Sequence, residues 1–369
     1  MSVNERIAVL VLTVPEQYHQ YGTATIRYPI GFGVPLIDVN DLRRIATSIL
    51  MHAGVPEPLA NLQADLLIEA ELRGVPSHGL LRLRRIVERI ANGCANPAAT
   101  GHHVWRREGF LEVDGQMGLG PVVADAALQA VCAKARQTGI AVAAIRNSNH
   151  IGMLGYYAER VAAAGQTVLA FSTSEALVHP WGGRRAMLGT NPIAIGVPTN
   201  AAPFVMDTAT SIVSMGEVHD YANRGEPLKQ GWALDAEGNP TTDAVAAKSG
   251  SLAPFGGAKG YALGLAFGLL TSSLAGAALG REVRGTLDSD AISNKGDLFI
   301  VIDGPSAALE DYLDLLRQTE PVDGVEKVLI PGERGRACRA ERLRDGVPLA
   351  DGLWRDLQQL ADEAGHKGA

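Results

Sequence analysis

A chain of 369 residues, 46% hydrophobic and 20% charged, is long enough to bury a substantial core in more than one unit and reads as an ordinary globular protein. Its formal net charge of -7 supplies no global attraction for phosphate backbones or anionic membranes, so neither nucleic acid nor a membrane surface is an expected partner. Cys94, Cys132 and Cys338 are far apart and odd in number, which suggests neither a disulfide framework nor a paired-cysteine metal site and suits a reducing, cytoplasmic location.

Residues 1–35 carry early acidic residues and glycine- and tyrosine-rich stretches, unlike a secretory leader, and are expected to be an added arm. Residues 38–52 and 57–73 show helical spacing and are separated by Gly54-Val55-Pro56. Ser77 is placed to cap the next helix, with Leu80, Leu83, Val87 and Ile90 as its buried stripe and His78, Arg82, Arg85 and Arg89 on another face; Asn92-Gly93 ends it. Between about 110 and 305, apolar strands at 140–145, 168–172, 193–197, 204–207 and 298–303 alternate with helices, among them 156–163, giving an α/β body. Residues 260–280 contain no charged residue and have the length of a membrane span. Gly260, Gly264, Gly268 and Gly276 together with Thr271, Ser272 and Ser273 lower their hydrophobicity, so a buried helix is expected instead. Helices at 309–316 and 354–364 are expected to pack with the N-terminal helices, and there is no internal repeat.

His150 stands in a loop, N-S-N-H-I-G, between the 140–145 strand and the following helix, where a histidine faces a cleft more often than a core. Gly115, Gly118 and Gly120 have the wrong spacing for G-x-G-x-x-G, and neither a P-loop nor H-E-x-x-H occurs. The nine histidines form no short cluster with carboxylates, so no metal is expected.

Six segments in order, S-H-G-L-L-R (77–82), N-S-N-H-I-G (147–152), G-T-N-P-I-A (189–194), M-D-T-A-T-S (206–211), G-G-A-K-G-Y (256–261) and P-G-E-R (331–334), resemble the type-2 malate/L-lactate dehydrogenase family over about residues 36–345. That family also holds ureidoglycolate and sulfolactate dehydrogenases, diketogulonate reductases and piperideine-2-carboxylate reductases. The resemblance implies an α/β, non-Rossmann fold in a homodimer. Its helical N-terminal part (36–110) belongs to a substrate domain, its central mixed-sheet domain (111–305) holds the nicotinamide cofactor, and its C-terminal helices (306–369) pack on the N-terminal part. His150 matches the family's acid/base histidine, a role suited to a group titrating near neutrality. Ser77 and His78 match the catalytic pair on the substrate side, and Arg82 is placed to clamp a substrate carboxylate, although arginines surround it and a solvated role is the alternative. Ser174, Asp207, Thr208, Ala209, Lys259, Gly260, Gly332, Glu333 and Arg334 match cofactor-contacting positions. Lys259 opens a helix whose amides can meet a phosphate. Asp207 can serve His78 or a ribose hydroxyl, and Glu175 replaces an aspartate that would orient His150. Ile86 replaces a substrate-side tyrosine and makes that wall apolar.

The implied activity is hydride transfer between NAD or NADP and a small 2-hydroxy acid or 2-oxo acid, with Arg184-Arg185 tilting the choice toward NADP unless that pair is a solvated turn. A cyclic-imine reductase on the same scaffold is the alternative. A serine hydrolase built on Ser77-His78 is remote, because the chain lacks a G-x-S-x-G elbow and adjacent residues rarely face each other in triad geometry.

Overall fold

The computed structural model describes residues 35–305 and 307–365; the expected N-terminal arm, apart from Pro35, lies outside them. The chain enters through β1 (Leu36–Ile37) and forms α1 (Val39–His52) and α2 (Glu57–Leu72), the pair expected from the periodicity. Asp38 starts α1 by accepting the Asn40 amide at 2.8 Å, and Pro56 starts α2.

The next segment corrects the expected cap. Ser77 lies in a 3₁₀ turn (Pro76–His78), a second 3₁₀ turn follows (Leu80–Arg82), and only then does α3 (Leu83–Ala91) begin, with no side-chain cap. The cause is Glu71 on α2. Its Oε1 accepts the Leu80 amide at 2.9 Å, the amide that a capping Ser77 would have taken. Its carboxyl also fills the place of a side chain at Gly79, where a Cβ would lie 2.1 Å from Oε1. Leu80 and Leu83 are buried as expected, but Val87 and Ile90 are only partly so, and Arg89 is 5% exposed.

A hairpin of β2 (His102–Arg107) and β3 (Phe110–Asp114) leads into α4 (Gly120–Thr138), β4 (Ile140–Arg146), α5 (Leu154–Ala163), β5 (Thr167–Ser172), β6 (Ile193–Val197) and β7 (Phe204–Thr208). After α6 (Met215–Arg224), β8 (Ala233–Leu234), β9 (Pro240–Thr241), α7 (Ala244–Ala247) and β10 (Ser251–Leu252) come α8 (Ala258–Ala275) and β11 (Gly296–Ile302). The chain finishes with α9 (Glu310–Arg317), α10 (Glu333–Asp345), β12 (Val347–Pro348) and α11 (Asp351–Glu363).

The main sheet has the order β2-β3-β4-β11-β5-β6-β7 and is mixed, since β3 and β4 run parallel and its other neighbours antiparallel. The five strands expected between 140 and 303 all lie in it. They were legible because central strands covered on both faces are continuous apolar runs. One face packs on α4 and α5, the other on α8. A small sheet, β10-β8-β9, has its own core around Val218, Trp232 and Leu252. Helices α10 and α11 return to the start of the chain, α10 packing on α2 and α11 on α1 and α3, and β12 pairs with β1, whereas α9, expected there too, is tied instead to Glu333 of α10 through Arg317.

No helix among the described residues is long and apolar enough to cross a membrane. Nor is α8 the fully buried helix expected. It buries Gly260, Gly264, Gly268, Thr271, Ser272 and Ala275 while leaving Leu263, Leu269, Leu270 and Leu274 between 39% and 48% exposed. The small residues let it lie close to the sheet, with the Asn191 amide donating to the Gly264 carbonyl at 2.8 Å, so the bulky residues face outward.

Candidate active site

The loop after β4 is built by its asparagines. Asn147 adopts φ of +52°, a left-handed conformation that asparagine tolerates better than most residues, and its amide donates to Asp114. The Asn149 amide donates to the carbonyls of Met117 (2.7 Å) and Gly118 (3.1 Å). Arg89 completes the support, with Nε donating to Asn149 Oδ1 at 2.8 Å and Nη1 to the Asp288 carbonyl. Gly120 gives the N-terminus of α4 room against this loop, because a Cβ there would lie 2.2 Å from the His150 carbonyl. His150 is thereby fixed between α4 and the 3₁₀ turns, its Nδ1 accepting the Gly152 amide at 3.1 Å.

The His150 ring lies 5.4 Å from that of His78, and His150 shares a pocket with Gln63, Leu66, Arg82, Arg85 and Ile86. No acidic residue lines that pocket. Contrary to the expected titration near neutrality, desolvation, then the cationic field of Arg82, neighbouring His78 and the buried Lys295, holds His150 well below its ordinary value. Desolvation and Arg82 push His78 down to about 3, so both rings are neutral at physiological pH. Arg82 spends its Nε on the Ser77 carbonyl at 2.7 Å, and burial with neighbouring Arg85 lowers it to about 10; it remains a cation. Lys295 lies with Asp297 in a buried ion pair, Nζ to Oδ1 2.6 Å, and Ser172 also donates to that oxygen at 2.6 Å.

Three expectations about this region change. Ser77 Oγ and His78 Nδ1 do meet, at 2.9 Å, although adjacent residues were not expected to. A hydrolase does not follow, since no carboxylate bonds to His78 among the described residues and the chain has no G-x-S-x-G elbow to present Ser77 as a nucleophile. Glu175 does not orient His150: its Oε1 accepts the amides of Thr286 (2.7 Å) and Leu287 (2.9 Å), tying down a loop that borders the pocket. Asp207 bonds not to His78 but to the Gly155 amide at 2.6 Å, at the N-terminus of α5. It is open to solvent yet hemmed in by protein, and desolvation raises it to about 6.

Ser174, Thr208, Ala209, Lys259 and Gly260 gather around the end of β7 and the start of α8, whereas Gly332 to Arg334 lie nearer the start of β7. Thr190 N donates to Ser174 Oγ at 3.0 Å, Thr210 N donates to the Thr190 carbonyl, and Phe255 N donates to the Thr210 carbonyl. Lys259 is exposed in the first turn of α8, as expected, with no partner among the described residues, and Gly260 is buried behind it. Gly332 starts α10 and lies against the Val205 backbone of β7. Glu333 is occupied, accepting from Arg317 Nε at 2.8 Å and the Ile330 amide at 2.9 Å, while Arg334 is exposed. Hydroxyls at Ser174 and Thr208, a solvent-open carboxylate at Asp207 able to accept from ribose hydroxyls, and an exposed ammonium at Lys259 able to donate to a phosphate fit a dinucleotide. Arg184 and Arg185 line a different cleft together with Arg281, and Arg184 is engaged with Gly238 and Asn239. No group of three or more possible ligands that could hold a metal occurs among the described residues.

Sequence reasoning missed Gln63, Leu66 and the buried Glu71. A glutamine and two glutamates within the otherwise apolar run of α2 were the available signal, because buried polar groups need a partner or a purpose.

The chain belongs to the malate/L-lactate dehydrogenase family, whose model matches residues 37–358, and the family is one of oxidoreductases acting on 2-hydroxy acids. Its fold is similar to that of a dehydrogenase from Sinorhizobium meliloti, with a TM-score of 0.86 and 49% identity, covering 89% of this chain and 98% of that one. It is 34% identical to the L-sulfolactate dehydrogenase of Methanocaldococcus jannaschii over 88% of this chain and 95% of the relative. It is 35% identical to the (2R)-3-sulfolactate dehydrogenase (NADP(+)) of Chromohalobacter salexigens, covering 88% and 98% respectively.

Proposed function

We propose that the protein moves a hydride between C2 of a small 2-hydroxy acid and NAD or NADP, with His150 handling the hydroxyl proton and Arg82 holding the C1 carboxylate. The observation that carries this reading is the meeting of His150 and the Arg82 guanidinium in one pocket without acidic lining. The nicotinamide, when bound, accepts or supplies the hydride. In oxidation His150 accepts the hydroxyl proton as the C2–H bond breaks; in reduction it returns a proton to the new alkoxide. Neutral His78, with Ser77 on its Nδ1, offers the substrate a donor without adding charge. Asp207, Thr208, Ala209 and Ser174 hold the ribose and nicotinamide side, and Lys259 with Gly260 receives a phosphate. Gly332, Glu333 and Arg334 form the turn that closes the nucleotide site.

In this reading residues 36–110 bring the substrate groups, 111–305 the cofactor groups and His150, and α10 and α11 brace the former. NADP is favoured slightly, as in the name of the Chromohalobacter salexigens relative, and not by Arg185, which lies in a cleft apart from the cofactor-matching residues. The exposed leucine face of α8 is read as the contact with a second copy in a cytoplasmic homodimer. Leu269→Asp is expected to halve the mass seen by sedimentation, and an unchanged mass rejects that contact.

The test of the reaction is His150→Ala, which should lower kcat by roughly 10²- to 10⁴-fold while the Kd for reduced cofactor stays within a few-fold. Turnover near that of the wild type removes His150 from the chemistry. Faster reduction of a cyclic imine-2-carboxylate than of any 2-oxo acid would favour the imine-reductase alternative instead.

A further inference from the structure

We infer that Glu175 is a positioning residue for the reaction: it latches residues 285–288 across the substrate pocket as a strap that releases to admit the 2-oxo acid and re-engages to hold it. This inference rests on the proposed hydride-transfer reaction. The pocket shared by His150 and Arg82 has a free volume of about 30 Å³, room for a water molecule or two and too little for pyruvate. One of its walls therefore moves in every turnover. Leu66 and Leu67 on α2 and Leu119 before α4 belong to the main core, and Asn149 is fixed by Arg89, Met117 and Gly118. Gly285 and Thr286 make a wall of another kind. They come from irregular chain ahead of β11, where Leu287 and Ile292 are 39% and 56% exposed, so lifting the segment uncovers little that was buried. Gly285, at φ of +82°, gives the chain a pivot.

The grip over the pocket is a single oxygen. Glu175 Oε1 accepts from the Thr286 amide at 2.7 Å, the Leu287 amide at 2.9 Å and the Thr286 hydroxyl at 3.1 Å. Beyond it, Arg89 Nη1 donates to the Asp288 carbonyl at 2.8 Å and the Asn92 amide to the Ser289 carbonyl at 2.9 Å. Arg89 is also the guanidinium whose Nε holds Asn149 next to His150, so the seating of the strap and of the catalytic loop share one side chain. Glu175 borders the cleft of Arg184, Arg185 and Arg281 as well, which offers its carboxylate cations once the amides let go.

Amide hydrogen exchange and steady-state kinetics on the full chain test the latch with Glu175→Ala and Glu175→Gln. In Glu175→Ala the Thr286 and Leu287 amides should exchange roughly ten- to a hundredfold faster than in the wild type, the range of a charge-assisted hydrogen bond, and KM for the preferred 2-oxo acid should rise by a similar factor. A Kd for reduced cofactor within a few-fold of the wild type shows that the variant is folded, and Glu175→Gln, which keeps an acceptor oxygen, should lie between. Saturating oxamate, a pyruvate analogue, with reduced cofactor should slow exchange at these two amides in the wild type but not in Glu175→Ala, a response that a brace serving only stability would not show. Faster exchange with an unchanged KM, exchange unmoved in Glu175→Ala, or exchange that oxamate leaves alone in the wild type each overturns the strap and leaves the reaction standing. A wild type that reduces no 2-oxo acid overturns both.

Discussion

Glu71 offers the most direct test of how the pocket is held. Its carboxyl is buried, and desolvation raises it from 4.5 to about 7 despite the Leu80 amide and the field of Arg342, which lower it. A carboxyl whose folded value exceeds its unfolded value makes the folded state bind the proton more tightly. That stabilisation is complete below pH 4.5 and is lost as pH rises through about 7. At 1.36 kcal/mol per unit, the shift corresponds to about 3 kcal/mol lost by the wild type across that window. Glu71→Gln keeps an oxygen for the Leu80 amide and has no proton to lose. Urea unfolding of both proteins at pH 4.5 and pH 8.5 should therefore show the variant gaining on the wild type by about 3 kcal/mol between the two conditions. A difference that does not change with pH would refute the claim that Glu71 ionises within the folded protein at a cost.

Gly79→Ala should be destabilising by at least 2 to 3 kcal/mol, roughly the cost of displacing a bonded buried polar group, and Glu71→Ala in the same chain should recover part of it; additive losses in urea unfolding would show that the two do not meet. Lys259→Ala is expected to weaken NADH and NADPH binding roughly ten- to a hundredfold, with added salt weakening the wild type more than the variant; an unchanged Kd in fluorescence titration removes Lys259 from the nucleotide site. Arg82→Lys keeps the charge but loses the fork, so KM for the 2-oxo acid should rise while the cofactor Kd hardly moves, whereas a weaker cofactor Kd would place Arg82 with the nucleotide.

The central strands and long helices were legible because each carries its period or its apolar run within a short window. The β2–β3 hairpin was not, since β2 reads H-H-V-W-R-R along a sheet edge, and no alternation marks it. The Ser77 cap failed for a different reason. The competing acceptor, Glu71, comes from the preceding helix, and only the packed structure reveals that it reaches Leu80 first. The uniform apolarity of α8 said that it packs but not which side does so. His150 and Arg82, which share one pocket, could be named from local motifs. Gln63 and Arg85 could not be assigned to the pocket, because which faces of α2 and α3 meet there is a property of their crossing.

The hydrogen bond from the Gly152 amide to His150 bears on the order of events in a turnover. A ring nitrogen that accepts from an amide carries no proton, so the neutral imidazole at rest is the tautomer protonated at Nε2. Neither productive form is compatible with that bond. An imidazolium ready to protonate an alkoxide needs hydrogen on both nitrogens, and a base ready to receive a hydroxyl proton at Nε2 needs its own hydrogen on Nδ1. If Nδ1 itself faces the substrate, the amide competes for its lone pair. If His150 carries the proposed proton, release of the Gly152 amide is expected to precede its transfer, and the imidazole nitrogen resonances should exchange character when an anionic substrate analogue binds. Spectra that keep the resting tautomer in the ternary complex would show that the ring reacts without letting go.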